Sequence, residues 1–334
     1  MRNRMILAAA IASTVLLFTG CSDPGAAPRS AGATVSVVAS TNVYGSIAQA
    51  IGGDRVEVTS LIDSATQDPH EYEASARDQL RIAKADVVIE NGGGFDPFVD
   101  GLVQASGTKA TVITAASLSP EYVAEGEADA AHGDAAHGDP GDDGSAQSHS
   151  ADQDHAHDHL EGFNEHVFYD PAVMARLADK IAGELGAIDP DGRDVFTANA
   201  KAFAAGAATL ETDLARLEST HEGTGVFVTE PLPLYLTDAA GLDNKTPEQF
   251  SEAVEEGQDV PPATLLDALK AISSHQVAVV IVNAQAGGPE TDRVEQEAKA
   301  AGIPILRFSE LLPDGQTYLT WMGDNIRQLA DALA

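Results

Sequence analysis

The sequence predicts an α/β protein of two lobes, each with a mainly parallel sheet, joined by one long rigid helix. Three observations carry this. Short β-branched runs alternate with stretches of helical periodicity, first before residue 120 and again after residue 223. Between the two halves, Phe196, Phe203, Leu210 and Leu217 recur every seventh residue in one helical pattern. Finally, the first half is interrupted by an acidic, histidine-bearing stretch whose composition cannot build a packed core.

The elements follow in order. Val35–Ala39 is a β-branched strand running into Ser40-Thr41-Asn42, a cap cluster. Val43–Ile51 carries apolar residues at helical spacing and stops at Gly52-Gly53. Arg55–Ile62 alternates as a second strand, and the loop after it holds Asp68-Pro69-His70. Ser75–Ala85 is helical, with Leu80, Ile82 and Ala83 expected to face inward. Asp86–Glu90 is a buried strand, Phe98–Gln104 a helix and Ala110–Thr114 a strand. Pro171–Ala187 resumes as a helix with Val173, Leu177, Ile181 and Leu185 four apart. Asp189-Pro190 then suggests an N-cap and a proline at N1, opening a helix that runs to Glu222 and closes at Gly223. Such a rod is about 45–50 Å long. The alternation restarts with strand Val226–Thr229, helix Leu232–Ala240, strand Val277–Val282, helix Glu290–Ala301, strand Pro304–Phe308 and helix Thr317–Leu333.

The 334 residues carry a net charge of −33, of which the thirteen Asp/Glu from Glu121 to Glu165 are only a part. A surface this negative repels nucleic acid and anionic lipid and concentrates cations. The single cysteine, Cys21, excludes an intrachain disulfide and cysteine-based metal clusters. It follows two early arginines and the apolar run Met5–Phe18, too short for a mature membrane span. Leu17-Phe18-Thr19-Gly20-Cys21 resembles a bacterial lipoprotein signal, in which the cysteine is acylated and becomes the first residue. Residues 1–21 are therefore expected to be a signal peptide ending at a lipidated Cys21, and 22–33 a flexible tether.

Seven of the ten histidines lie between Ala131 and Asp170, among carboxylates and without any lysine or arginine. His132, His137, His149, His155, His157 and His159 are read as an auxiliary, weak metal-gathering loop, and His166 at its exit as part of the main site. Four residues sit just past expected strand ends or loop exits, two from each lobe: His70, His166, Glu230 and Glu310. Two imidazoles and two carboxylates suit four-coordinate zinc, or manganese with bidentate carboxylates.

At these motifs the chain resembles the metal-binding lipoproteins that serve ABC importers of zinc and manganese. Asp68-Pro69-His70-Glu71-Tyr72-Glu73 is similar to that family's first ligand motif, and Ala85–Gly92 to the strand and loop after it. Asn164-Glu165-His166-Val167-Phe168-Tyr169-Asp170-Pro171 resembles the second, with Glu165 in place of the usual proline. Thr229-Glu230, Tyr235 and Gly241-Leu242 align with the third segment, and Arg307–Glu310 with the fourth, where Asp is usual; Asn283 stands where relatives often carry an acid. The resemblance implies two Rossmann-like lobes on a rigid helical backbone: an N-terminal lobe over 34–188 with the His/Asp-rich loop at 120–165, a linking helix at 189–222 and a C-terminal lobe over 223–334. It implies a monomeric, extracytoplasmic solute-binding protein, held at the membrane by its lipid anchor alone, that passes metal to an ABC permease. Glu230 favours manganese and the histidine-rich loop favours zinc; the reading chosen is Zn2+, with Mn2+ as the alternative.

Two other classes compete. A secreted zinc hydrolase would use His70, His166 and Glu230 as ligands and Glu310 as base, but neither His-Glu-x-x-His nor Gly-x-Ser-x-Gly occurs. An adhesion or interaction lipoprotein would use the acidic loop as its partner surface.

Overall fold

A computed structural model of the chain describes residues 34–64, 67–70, 72–122 and 162–334. The expected signal peptide with Cys21, the tether and the six loop histidines from His132 to His159 lie outside the described residues. Thr34–Ala334 forms one compact unit.

In the first lobe, β1 (Val35–Thr41), β2 (Val56–Ile62), β3 (Val87–Glu90) and β4 (Thr111–Thr114) make a sheet in the order β2-β1-β3-β4. Every pairing is parallel, with Val35 opposite Val56, Val37 opposite Val87 and Val88 opposite Val112. The second lobe repeats the plan. Here β5 (Gly225–Val228), β6 (Asp243–Asn244), β7 (Val279–Asn283) and β8 (Ile305–Phe308) lie in the order β6-β5-β7-β8, again all parallel. Parallel pairing requires crossovers, and helices supply them. They are α1 (Asn42–Gly52), α2 (Ala76–Ile82) and α3 (Phe98–Ser106) in the first lobe. The second has α6 (Leu234–Ala239), α7 (Glu248–Glu255), α8 (Pro262–Ser273) and α9 (Pro289–Ala301).

Three helices bind the lobes together: α4 (Pro171–Ile188), α5 (Arg193–His221) and α10 (Tyr318–Leu333). The buried face of α5 is Phe196, Ala200, Phe203, Ala207, Leu210, Leu214 and Leu217, a stripe spaced alternately four and three. One hydrophobic core runs without a break from Val37 and Ile89 through Leu177, Phe203 and Leu210 to Val228, Ile281 and Trp321. Hydrogen bonds reinforce it. Asn42 Nδ2 donates to the Leu312 carbonyl and its Oδ1 accepts from Leu312 N, both at 2.9 Å. Tyr169 donates to the Ser309 carbonyl at 2.8 Å, and Tyr318 to the Phe168 carbonyl at 3.0 Å. One core and these hydrogen bonds thus tie the two lobes together.

Three expectations need correction. Leu80 is 60% exposed and Ala83 is also exposed; of the three, only Ile82 is buried. The helix is seven residues long, and its inward face is set by Asp78 and Ile82, one turn apart. Leu80 lies about 160–200° round the axis from both. The long helix begins at Arg193, because Pro190–Gly192 forms a 3-10 turn first. Asp189 does not cap it: its carboxylate receives Arg55 Nε and an Arg55 guanidinium nitrogen at 2.6 and 2.8 Å. The helix has 29 residues, a length of about 44 Å. Finally, β6, α7 and α8 fill the stretch between Gly241 and Gln276, to which the sequence reading assigned no element.

Candidate metal centre

Three of the four candidate ligands lie beyond the carboxyl end of a strand, where open parallel sheets bind their ligands, and the fourth, His166, opens the 3-10 turn Val167–Tyr169. His70 follows β2, and the loop opened by Asn91 follows β3. Glu230 follows β5, Asn283 ends β7 and Glu310 follows β8. The two lobes present these edges to each other.

On the N-terminal side, His70 is half-buried and His166 fully buried, with ring centroids 6.0 Å apart. The Asp68 carboxylate accepts the His70 backbone N–H at 2.9 Å, so the Asp-Pro-His turn fixes the imidazole's approach. Phe95 stands edge-on to both rings, with centroids 5.1 Å from His70 and 5.8 Å from His166. His166 sits at the centre of a tight turn, φ −74° and ψ 42°, in which Val167 N donates to the Glu165 carbonyl at 2.7 Å. Its Nδ1 lies 2.9 Å from Asn164 Oδ1. With Nδ1–H donating there, the tautomer leaves the Nε2 lone pair for a ligand. Asn164 also reaches the other lobe, donating to the Pro231 carbonyl at 3.1 Å and accepting at its own carbonyl from Tyr235 at 2.8 Å.

The Asn91 loop supports this face from below. Asn91 Nδ2 donates to the Glu165 carbonyl at 2.9 Å, and Tyr44 donates its hydroxyl to Asn91 Oδ1. Asp96, buried, accepts from Asn91 N and Gly92 N at 2.7 and 2.8 Å. Burial raises its carboxyl above the ordinary value, and these bonds oppose that.

On the C-terminal side, Asn283 Nδ2 donates to Glu230 Oε2 at 2.6 Å and to Glu310 Oε1 at 2.8 Å. One amide thus holds both carboxylates. Gln285 N donates to Asn283 Oδ1 at 3.0 Å, fixing the amide's orientation, and Gln285 Oε1 accepts from Glu310 N at 2.8 Å. Glu230 and Glu310 are 3% and 2% exposed. Burial pushes Glu230 up to about 7, against the pull of Asn283. Burial pushes Glu310 up to about 8, with the carboxylates of Asp68 and Glu230 adding to it.

The structure therefore brings the four expected ligands into two pairs, His70 with His166 and Glu230 with Glu310. Among the described residues, the group whose ligand atoms all lie within 4.8 Å of one another is His70, Glu165 and His166. Two acids escaped sequence reasoning. Glu165 was noted only as a replacement for proline. Glu255, at the end of α7, has its Oε1 3.8 Å from His166 Nδ1. Burial, then the charges of Glu165, Glu230 and Glu310, push Glu255 up to about 9. It lies in an acidic run with Glu252 and Glu256 that reads as a solvated face, so no sequence signal marked it.

Comparison with known proteins decides the family. The family described as zinc-uptake complex component A, periplasmic, matches residues 37–332. The chain belongs to that family. Among its relatives is the iron ABC transporter substrate-binding lipoprotein MtsA of Streptococcus pyogenes serotype M1, 25% identical over 357 residues and covering 100% of both chains. The manganese-binding lipoprotein MntA of Bacillus subtilis strain 168 is 25% identical over 342 residues, covering 99% of each. The periplasmic zinc binding protein TroA of Treponema pallidum has the same fold, with a TM-score of 0.68 at 16% identity over 90% of this chain and 99% of that one. The protein is thus a metal-binding, substrate-binding component of an ABC importer and not an enzyme. The hydrolase alternative is set aside on that ground.

Proposed function

We propose that the chain captures zinc, outside the cytoplasm, between its two lobes and delivers it to the permease of an ABC importer, with His70, His166, Glu230 and Glu310 as ligands. The observation that carries this reading is the pairing of two imidazoles with two buried carboxylates that have no Lys or Arg partner among the described residues. Among the described residues, Glu230 Oε1 and Glu310 Oε2 are buried and accept no hydrogen bond. Burying such acceptors is costly unless something pairs with them. A divalent cation is the partner that satisfies both while taking nitrogen from the histidines. Binding would displace the protons that Glu230 and Glu310 hold near neutral pH, so metal and proton exchange for each other at this site.

Zinc is supported by the imidazole pair and by the order of affinities, which ranks it above manganese and iron at mixed nitrogen–oxygen sites. Manganese is the second reading, favoured by the carboxylate pair and its tolerance of more than four oxygen-rich ligands. In this account Cys21 carries the lipid anchor, and the loop from His132 to His159 holds further metal weakly. No described helix is long and apolar enough to cross a membrane. The test is competitive titration of metal-free protein with zinc and manganese, repeated for His70→Gln and Glu310→Gln. One tight equivalent lost in both variants supports the reading; unchanged binding refutes it.

A further inference from the structure

The residue that sets this centre apart is Glu165. It is an acidic residue only 3% exposed, and it lies next in sequence to a candidate ligand. In extended chain, consecutive side chains point to opposite sides. Here the tight turn centred on His166 breaks that rule. A Glu165 oxygen and nitrogens of His166 and His70 all come within 4.8 Å of one another. Two ligands each about 2.1 Å from one ion, at a tetrahedral angle, are about 3.4 Å apart, so the three need close by little more than an ångström to share an ion. The Glu165 backbone is fixed in place: its carbonyl accepts from Asn91 Nδ2 at 2.9 Å and from Val167 N at 2.7 Å. Glu165 also lines a cleft of about 680 Å³ between the lobes, together with Asn164, Pro231 and Glu255. It therefore stands between that cleft and the two imidazoles.

We propose that Glu165 is itself a ligand of the captured cation, joining His70 and His166 through one carboxylate oxygen and setting the metal preference of the site. This rests on the reading of His70, His166, Glu230 and Glu310 as the metal centre. With Glu230 and Glu310 it makes a set of two nitrogens and three or more oxygens. A set larger than four suits manganese or ferrous iron better than it suits zinc, whose closed sites are four-coordinate. Glu165 thus narrows the advantage zinc would hold at a site of two imidazoles and two carboxylates.

The test compares the full chain with Glu165→Gln, Glu165→Asp and His166→Gln, each stripped with chelator and titrated with zinc and with manganese. X-ray absorption at the zinc edge gives the ligand count. Glu165→Gln keeps the size of the side chain and removes the charged oxygen. It should lower manganese affinity by about ten-fold or more and zinc affinity by less, and the zinc shell should lose one oxygen. His166→Gln should lose tight binding of both. If Glu165→Gln matches the wild type in both affinities and in its shell while His166→Gln loses metal, Glu165 is no ligand and the four-ligand reading stands. If His166→Gln also matches the wild type, both fall. Thermal unfolding of the stripped proteins checks folding. Should the glutamine variant not fold, Glu165→Asp, one methylene shorter, decides: a three-fold or greater loss of manganese affinity supports the assignment, and none overturns it.

Discussion

Asn283 offers the sharpest handle on the carboxylate pair. Replacing it with leucine keeps much of its volume and removes both N–H donors. Each donor makes a bond to an ionised oxygen, at 2.6 and 2.8 Å. Such a bond contributes about 1.5–3 kcal/mol. At 1.36 kcal/mol per pKa unit, losing one raises its carboxyl by about one to two units. Glu230 starts at about 7 and Glu310 at about 8, so in Asn283→Leu both should hold their protons well into the alkaline range. Metal competes with those protons. The pH at which zinc affinity reaches half its plateau should therefore move up by about one to two units. Competition against a chromophoric chelator from pH 6 to 9.5 measures it. An affinity profile that keeps the wild-type midpoint would refute the claim that Asn283 tunes the pair. A uniform drop at every pH would show that the amide acts on structure alone.

Other outcomes follow from the same geometry. Glu230 and Glu310 titrate above their ordinary 4.5 in the folded protein, so the stability they contribute to the metal-free form is fully present below that value and is lost as pH rises through about 7 and 8. Thermal midpoints of chelated protein should fall from pH 6 to 9 more steeply than those of a Glu230→Gln, Glu310→Gln double variant, and equal slopes would contradict the assignment. Gly92→Ala should destabilise by about 2 kcal/mol, because Gly92 sits at φ +72° and an added Cβ would lie 2.4 Å from Thr114 Cγ2. Since the Asn91 loop holds the Glu165 backbone, its zinc affinity should drop as well, and denaturation with titration checks both. Leu80→Lys, on the exposed side of α2, should change stability by no more than about 0.5 kcal/mol in urea denaturation.

Much of the fold was legible because the buried parallel strands are dense β-branched runs and the spine helix repeats its apolar stripe along its whole length. VVIVN and VVIE admit few other readings. The region after Gly241 was not legible for the opposite reason. β6 has two residues, and α7 has only eight, with Phe250 as its one fully buried large apolar side chain. In α2, Leu80 misled because a seven-residue helix offers too few turns for one face to declare itself. The His70 and His166 motifs, Glu230 and Glu310 could be picked out because each follows a strand or a marked turn. Glu165 and Glu255 could not, since an acid in an acidic neighbourhood reads as solvated. Their burial comes from tertiary structure: a tight turn for one, and the docking of α7 near His166 for the other.

Anomalous diffraction at the zinc absorption edge, on crystals of the zinc-loaded protein, tests the central assignment most directly. The account predicts a single strong peak between the lobes, with nitrogens of His70 and His166 and oxygens of Glu230 and Glu310 about 2.0–2.2 Å from it. A peak that lacks these four residues, whether or not Glu165 joins them, or no peak in the cleft at saturating zinc, would contradict it.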